Sequence, residues 1–318
     1  MASLDQIDLN SLTIFDVVVD AGSFTAAAER LGVAKAKISV QVARLEQQLG
    51  VTLFARTTRR MTLTDAGRAL HAHCQPLLRK LVDALAEAGS EHGQLRGLLR
   101  LSTTVVHAAQ SVAPALAQFA ALHPDLKIEL RTGDRIADMV KEGIDLSFRM
   151  GWLRDSTQRA ILLEQFRQYV IAAPAYLARR GTPHTPQELA AHDWIGLSLL
   201  PTPHTWTFAQ AGAPAQTVHV KSRIEVDAPS ALLALLVNGA GVSAMEEFTA
   251  QAAIDAGTLV HLLPDWSLPT GGVYAVLPPG RYVPARVRAF IDFYRDYLAR
   301  TAKPAARAQT PKRTKDAR

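Results

Sequence analysis

The chain has 318 residues, 48% of them hydrophobic and 20% charged, with a formal net charge of +6. That length allows two or three domains with proper cores, and the composition is that of an ordinary soluble globular protein. Its one cysteine, Cys74, excludes an internal disulfide and fits a reducing cytoplasm. Asp5 and Asp8 stand where a signal peptide needs basic and apolar residues, so no secretory leader and a cytoplasmic location are expected. The most apolar long stretch, Ala228 to Met245, is broken by Pro229, Asn238, Gly239 and Gly241. It reads as a buried helix-turn-strand, and no membrane partner is expected.

Charge alone does not point to nucleic acid. In the last sixteen residues Lys303, Arg307, Lys312, Arg313, Lys315 and Arg318 face only Asp316, so nearly all the excess lies in a Pro/Ala/Lys/Arg tail without apolar pattern. Residues 1–65 carry seven acids and seven bases, a net of zero. What matters there is where the bases lie.

Asp8 is a plausible cap for a first helix, in which Leu9, Leu12, Phe15, Val18 and Val19 recur at helical spacing until Gly22. Ser23 caps a second helix from Phe24 to Leu31, whose run of alanines allows close packing, and Gly32 suits a left-handed C-terminal position. A third helix runs from about Lys35 to Leu49 and buries one stripe of Ile38, Val42, Leu45 and Leu49. Its opposite face shows Ala36, Lys37, Val40, Gln41 and Arg44, flanked by Lys35 and Ser39. Two short helices, a glycine turn and a third helix with a polar outer face are the layout of a helix-turn-helix. The third helix suits the major groove, where Lys, Gln, Ser and Arg read base edges or hold phosphates and Val40 meets a thymine methyl. Leu53-Phe54 and Met61-Thr62-Leu63 then read as a hairpin wing, with Arg56, Arg59 and Arg60 set to meet phosphates. The competing reading is a three-helix core with a solvated charged face.

Thr64 caps the next helix, whose stripe of Leu70, Leu77, Leu78, Leu81 and Leu85 reaches about Ala88. Pro76 inside it should kink or split it. His71, His73 and Cys74 raise a metal site, but only two ligands share a face, so ordinary helix surface is the reading and no metal or other cofactor is expected. From Leu98 strands and helices alternate, which means α/β with largely parallel sheets. Strands are expected at Leu98–Thr103, Lys127–Leu130, Asp145–Arg149 and near Phe166–Ala172, Val218–Ile224, Gly241–Ala244 and Gly272–Leu277. Helices are expected at Val112–Leu122, Ile136–Glu142, Ala175–Arg180, Pro229–Asn238, Phe248–Ala256 and Pro284–Arg300. About 200 residues of this kind suggest two subdomains with a cleft between them.

The segment AGSFTAAAERLGVAKAKISVQVARLEQQLGVTLFARTTRRMTLTDAG resembles the N-terminal signature of LysR-type transcriptional regulators. By that resemblance Ser23, Lys35, Ala36, Lys37, Ser39, Gln41 and Arg44 fall where the family contacts double-stranded DNA, and Arg56, Arg59 and Arg60 match its wing. Ala34 stands where the family usually has a capping serine, and Lys35, Lys37 and Val40 also depart from the usual residues. The resemblance continues through LAQFAALHPDLKIEL, DMVKEGIDLSFRMG, AAPAYLARRGTPHTPQELAAHDWIG and VRAFIDFYRDYL, which are similar to the family's effector domain. It implies an α/β multidomain chain: a winged helix-turn-helix over 1–65, a linker and dimerisation helix over 66–92, and an effector-binding domain over 93–302. That domain has the fold of periplasmic binding proteins, with one subdomain of 93–165 plus 268–300 and another of 166–267. A basic disordered tail takes 303–318, and a homodimer or homotetramer is implied.

The cleft is expected where strands end and helices begin. Ser102, Thr103 and Thr104 follow the first strand, and Met150, Gly151 and Trp152, with Arg149, follow the strand of DLSFRMG. Asp227 and Ala228 open the helix at Pro229, with Asp227 as its N-cap. Hydroxyls and helix starts suit a small polar or anionic effector; Trp152 reads equally as a stacking surface or as core. Catalytic signatures are missing: Gly271-Gly272 lacks the Lys-Ser/Thr of a phosphate loop, Gly-x-Ser-x-Gly does not occur, and no zincin pair is present. A ligand-responsive DNA-binding regulator leads, with a catalytic domain fused to DNA recognition and a non-specific architectural DNA binder as alternatives.

Overall fold

A computed structural model of the chain describes residues 7–55, 61–88, 94–152, 159–280 and 282–301. It contains two units, Met1–Gly93 and Gln94–Arg318.

The first unit begins with α1 (Leu9–Ala21), α2 (Phe24–Leu31) and α3 (Lys35–Leu49). Asp8 and Ser23 act as the expected caps, their side chains accepting from Asn10 N and Ala26 N. Gly32 ends α2 at φ +64°, a left-handed conformation that favours glycine. Ala34 precedes α3 with no capping side chain, as its methyl dictates. Phe15, Val18, Ala27, Ile38, Val42 and Leu45 are buried, so the three helices share one core. Strands β1 (Phe54–Ala55) and β2 (Thr62–Leu63) pair antiparallel. Thr64 then accepts from Gly67 N at 3.0 Å and starts α4 (Asp65–Ala88).

Of the two outcomes expected at Pro76, a kink or a split, the split does not occur: α4 runs through it as one helix. A proline removes one main-chain bond, but Leu70 and Cys74 before it and Leu78 after it pack on Leu12, Phe15, Leu45 and Leu53. Packing on both sides carries the helix through. Leu77, Leu81, Val82 and Leu85 remain exposed, so the predicted leucine stripe is only partly used within the unit.

The second unit holds two five-stranded sheets. The first, in the order β4 (Leu126–Thr132), β3 (Gly97–Thr103), β5 (Leu146–Gly151), β14 (Gly271–Leu277) and β6 (Arg159–Phe166), is parallel through β4, β3 and β5, while β14 runs antiparallel to β5 and β6. The second, in the order β11 (Ser222–Val226), β8 (Trp194–Leu197), β12 (Val242–Glu246), β7 (Gln168–Ala172) and β13 (Val260–Leu262), repeats the scheme with β7 antiparallel to β12 and β13. The sheets are therefore mixed, not largely parallel. Strands joined through helices come out parallel, whereas β6–β7 and β13–β14 pass directly from one sheet to the other and enter in the opposite sense. The strand expected near Phe166–Ala172 is accordingly two strands, parted at Arg167, and the one expected at Val218–Ile224 is the end of β10 and the start of β11. Strand β10 (Gln216–His219) pairs with β9 (Thr205–Phe208) as a separate antiparallel ribbon.

Helices α8 (Pro174–Arg180), α9 (Pro229–Val237), α10 (Glu247–Asp255) and α11 (Ala285–Thr301) lie close to their expected positions. Two others do not. The helix expected from Val112 starts at Val105, as α5 (Val105–His107), a π-helical stretch (Ala108–Val112) and α6 (Ala113–Leu122). Pro114 looks like a helix start because it suits the first turn; the wider π turn before it absorbs the missing donor. The helix expected at Ile136–Glu142 shrinks to α7 (Met139–Glu142), capped by Asp138. By length and composition Val105–Leu122 is apolar enough to cross a membrane. Here Val112, Ala115, Leu116 and Phe119 pack with Leu99, Phe148 and Phe290 in a core.

His107 lies inside that core, 3.1 Å from the Tyr294 hydroxyl, and burial lowers its pKa to about 4. The unfolded chain protonates this imidazole near 6.5, so it binds the extra proton between the two values and stability falls as pH drops through that window. Urea unfolding should show about 3 kcal/mol lost between pH 6.5 and 4 that is missing in His107→Gln. Equal pH profiles for the two chains would contradict it.

Candidate functional site

Two sites emerge, one in each unit. In the first, Lys35, Ala36, Lys37, Ser39, Val40 and Arg44 are all exposed along α3. Val40 is 64% exposed, an apolar side chain left largely uncovered by the described residues. Ser39 returns its hydroxyl to Lys35 O at 3.2 Å, and Ser23 is half-buried at its cap. Gln41 differs from the others. It is half-buried, and its amide oxygen accepts from the Ser11 hydroxyl at 2.8 Å. Ser11 is fully buried on α1, so Gln41 fastens the outer helix to the core. Arg56, Arg59 and Arg60 lie outside the described residues.

Glu46 went unread in the sequence. Its carboxylate accepts from Leu53 N at 2.6 Å and Phe54 N at 3.2 Å, and so ties the end of α3 to the first wing strand. Gly67 is the second such residue. A Cβ there would sit 2.2 Å from Leu53 O, so the start of α4 approaches that backbone too closely for any side chain.

In the second unit a cavity of about 240 Å³ opens at the ends of β3 and β4. Ser102, Thr103 and Thr104 line it, with Arg131, Arg135 and Arg149 around them. Ser102 donates to the Ser147 hydroxyl at 2.9 Å, deep in the sheet. Thr104 caps α5 and donates to Met150 Sδ at 3.6 Å. Thr103 Oγ1 and Arg149 Nε are sealed from solvent and have no hydrogen-bond partner among the described residues. Arg131 is held by Glu129 at 2.7 Å, whereas Arg135 is exposed and 3.9 Å from Asp227. Burial lowers the Arg149 pKa, from so high a value that the guanidinium stays charged.

The expected cleft residues do not all meet. Met150 and Gly151 belong to the end of β5, paired with β14, instead of following the strand. Trp152, 39% exposed, lines a second cavity of about 320 Å³ with Leu200, Pro201, Trp206 and Pro269. Asp227 is not the N-cap of α9: the cap is Ala228, which offers no side-chain bond. Because Pro229 already fills the first helical position, the capping position falls one residue later than expected, and Asp227 faces Arg135 instead.

Comparison with known proteins decides between the readings. Residues 9–68 match the bacterial regulatory helix-turn-helix of the lysR family, and residues 92–299 match the LysR substrate binding domain. The chain belongs to the LysR family of transcriptional regulators. Like other members, this LysR-type protein is a DNA-binding transcriptional regulator with a substrate-binding effector domain. It is 41% identical over 297 residues to the HTH-type transcriptional regulator PtxR of Pseudomonas aeruginosa, covering 93% of this chain and 95% of that one. Among solved structures it is similar to CrgA, a LysR-type regulator from Neisseria meningitidis, with 31% identity, TM-score 0.57, and 92% and 99% of the two chains covered. The full-length Vibrio cholerae virulence activator AphB aligns with 27% identity, TM-score 0.58, and 91% and 98% covered.

The cavity of this LysR-type chain includes residues that sequence reasoning left out. The stretch 133–138, read partly as helix, is an irregular loop that contributes Asp134, Arg135 and Ile136 to the wall. Its Gly133-Asp134 pair was the available turn signal. Arg149, expected beside the cleft, lines the cavity itself; a lone charge inside an apolar strand is its signal.

Proposed function

We propose that this LysR-type regulator binds specific operator sequences through α3 and that a small anionic effector in the 240 Å³ cavity alters those contacts. Lys35, Ala36, Lys37, Ser39, Val40, Gln41 and Arg44, with Ser23 at the turn and Arg56, Arg59 and Arg60 on the wing, contact the duplex. Ser102, Thr103 and Thr104 hold the effector with Arg149; Met150, Gly151, Trp152, Asp227 and Ala228 complete the cleft as it closes. The exposed Leu77, Leu81, Val82 and Leu85 support pairing of α4 with a second copy, which sets two reading heads on two half-sites. The divisions 1–65, 66–92, 93–302 and 303–318 serve as operational units. The chain acts in the cytoplasm, without catalysis and without a membrane.

One observation supports the effector chemistry above others: Thr103 and Arg149 line the same cavity, and Thr103 Oγ1 and Arg149 Nε lack a hydrogen-bond partner among the described residues. A ligand oxygen that reaches them gains a hydrogen bond without displacing one already made. A panel of small mono- and dicarboxylates tests this by thermal shift of the full chain. Some members should raise the melting temperature of the native protein and fail to do so in Arg149→Met and Thr103→Val, while operator affinity without ligand stays unchanged. If the stabilising compounds act equally on all three proteins, or none of the carboxylates stabilises the native chain, the cavity assignment is wrong.

A further inference from the structure

We propose that Asp16 and Asp20 on α1 and His71 on α4 form a binding site for one divalent transition-metal ion, which staples the helix-turn-helix to the linker helix. The two aspartates are four residues apart and so share one face of α1. His71 meets that face from α4: its Nε2 lies 3.2 Å from Asp16 Oδ1 and 3.8 Å from Asp20 Oδ1, and all three ligand atoms fall within 4.8 Å of one another.

These separations, within ion-pair range, also suit a shared metal ion. Zinc bonds of about 2.0–2.2 Å at tetrahedral angles put ligand atoms about 3.3–3.6 Å apart, between the two distances seen. A charge-assisted N–H···O bond closes to about 2.7–2.9 Å. Here His71 Nε2 and Asp16 Oδ1 are both shut off from solvent, yet neither has a hydrogen-bond partner among the described residues. An ion ligated by both would satisfy these two facing polar atoms. Two carboxylates and a neutral imidazole carry a net charge of −2, which a divalent cation neutralises. The mixed oxygen and nitrogen set favours Zn²⁺ over Ca²⁺ or Mg²⁺.

The surroundings hold the ligands in place. Gln75, buried on the next turn of α4, donates to Asp20 Oδ1 at 3.2 Å, the kind of outer contact that orients a ligating carboxylate. The Phe15 ring meets His71 edge-on at 6.3 Å. Cys74 lies one turn from His71, near enough to Asp16 to feel its charge but outside the ligand cluster. We therefore leave it out of the ligand set, and water completes the coordination.

The test uses the full-length protein, stripped with chelator and titrated with Zn²⁺ by calorimetry and thermal shift. One ion per chain should bind and raise the melting temperature. Asp16→Asn and His71→Gln should each weaken binding by about tenfold or more, since even outer-sphere losses cost about 10- to 100-fold. Asp20→Asn serves if either variant fails to fold by circular dichroism. Substitution with Co²⁺ should give tetrahedral visible bands without a thiolate charge-transfer band. The proposal falls if no saturable binding is found, if the variants bind as tightly as the native chain, or if a thiolate band places Cys74 in the coordination sphere.

Discussion

Gly67→Ala is expected to destabilise the N-terminal unit by about 3 kcal/mol or more and to abolish operator binding with it. The added methyl would meet Leu53 O at 2.2 Å and Leu53 C at 3.0 Å. Neither atom is free to move. Leu53 N is held by Glu46, Leu53 O accepts from Thr64 N at 3.0 Å, and the Leu53 side chain is fully buried. Relief requires breaking the junction of α3, the wing and α4 at once. Urea unfolding followed in this unit measures the loss; a midpoint equal to that of the native chain would show that the junction is looser than described.

The second large effect separates Lys37 from Gln41. Lys35 and Lys37 are exposed, and their replacement by alanine should leave stability unchanged. Each lysine that neutralises a phosphate releases a counterion, so the double variant should bind operator more weakly and lower the salt slope of log K by about two. Gln41→Ala should also weaken binding, but by another route. It strips the buried Ser11 hydroxyl of its partner, which costs about 1–3 kcal/mol of stability before any base contact is counted. Denaturant midpoints measured beside anisotropy titrations distinguish the two. A Gln41→Ala chain as stable as the native one would mean that the Ser11 bond does not anchor α3, and an unchanged salt slope in the double lysine variant would remove both lysines from the interface.

The reading helix was legible because its determinants are local. The stripe of Ile38, Val42 and Leu45, the glycine at 32 and the capless Ala34 all lie within one or two turns of what they control. Gln41 shows the limit of that legibility. Its exposed position on the helical wheel suggested base contact, and its partner is thirty residues away on α1. Pro76 failed as a helix breaker for a similar reason, since the contacts that carry α4 through come from α1, α3 and Leu53. In the second unit the first strand and its three hydroxyl residues were visible in sequence. The loop 133–138 was not, because its residues carry enough helical pattern to disguise a turn. Strands β8 and β9 are four residues each and were passed over, although Trp194 and Trp206 from them meet at 5.5 Å in the core. Asp227 has the chemistry of a cap, but Pro229 fixed the helix start so that Ala228 took the position.

A footprint of the full-length protein on the DNA flanking its own gene tests the central claim most directly. The expected result is one protected segment at physiological salt, containing two half-sites separated by one helical turn or a multiple of it. Protection should be lost in the Lys35→Ala/Lys37→Ala chain at concentrations where the native protein fills the site. Uniform protection along the whole fragment, or a footprint indifferent to both lysines, would contradict operator recognition through α3.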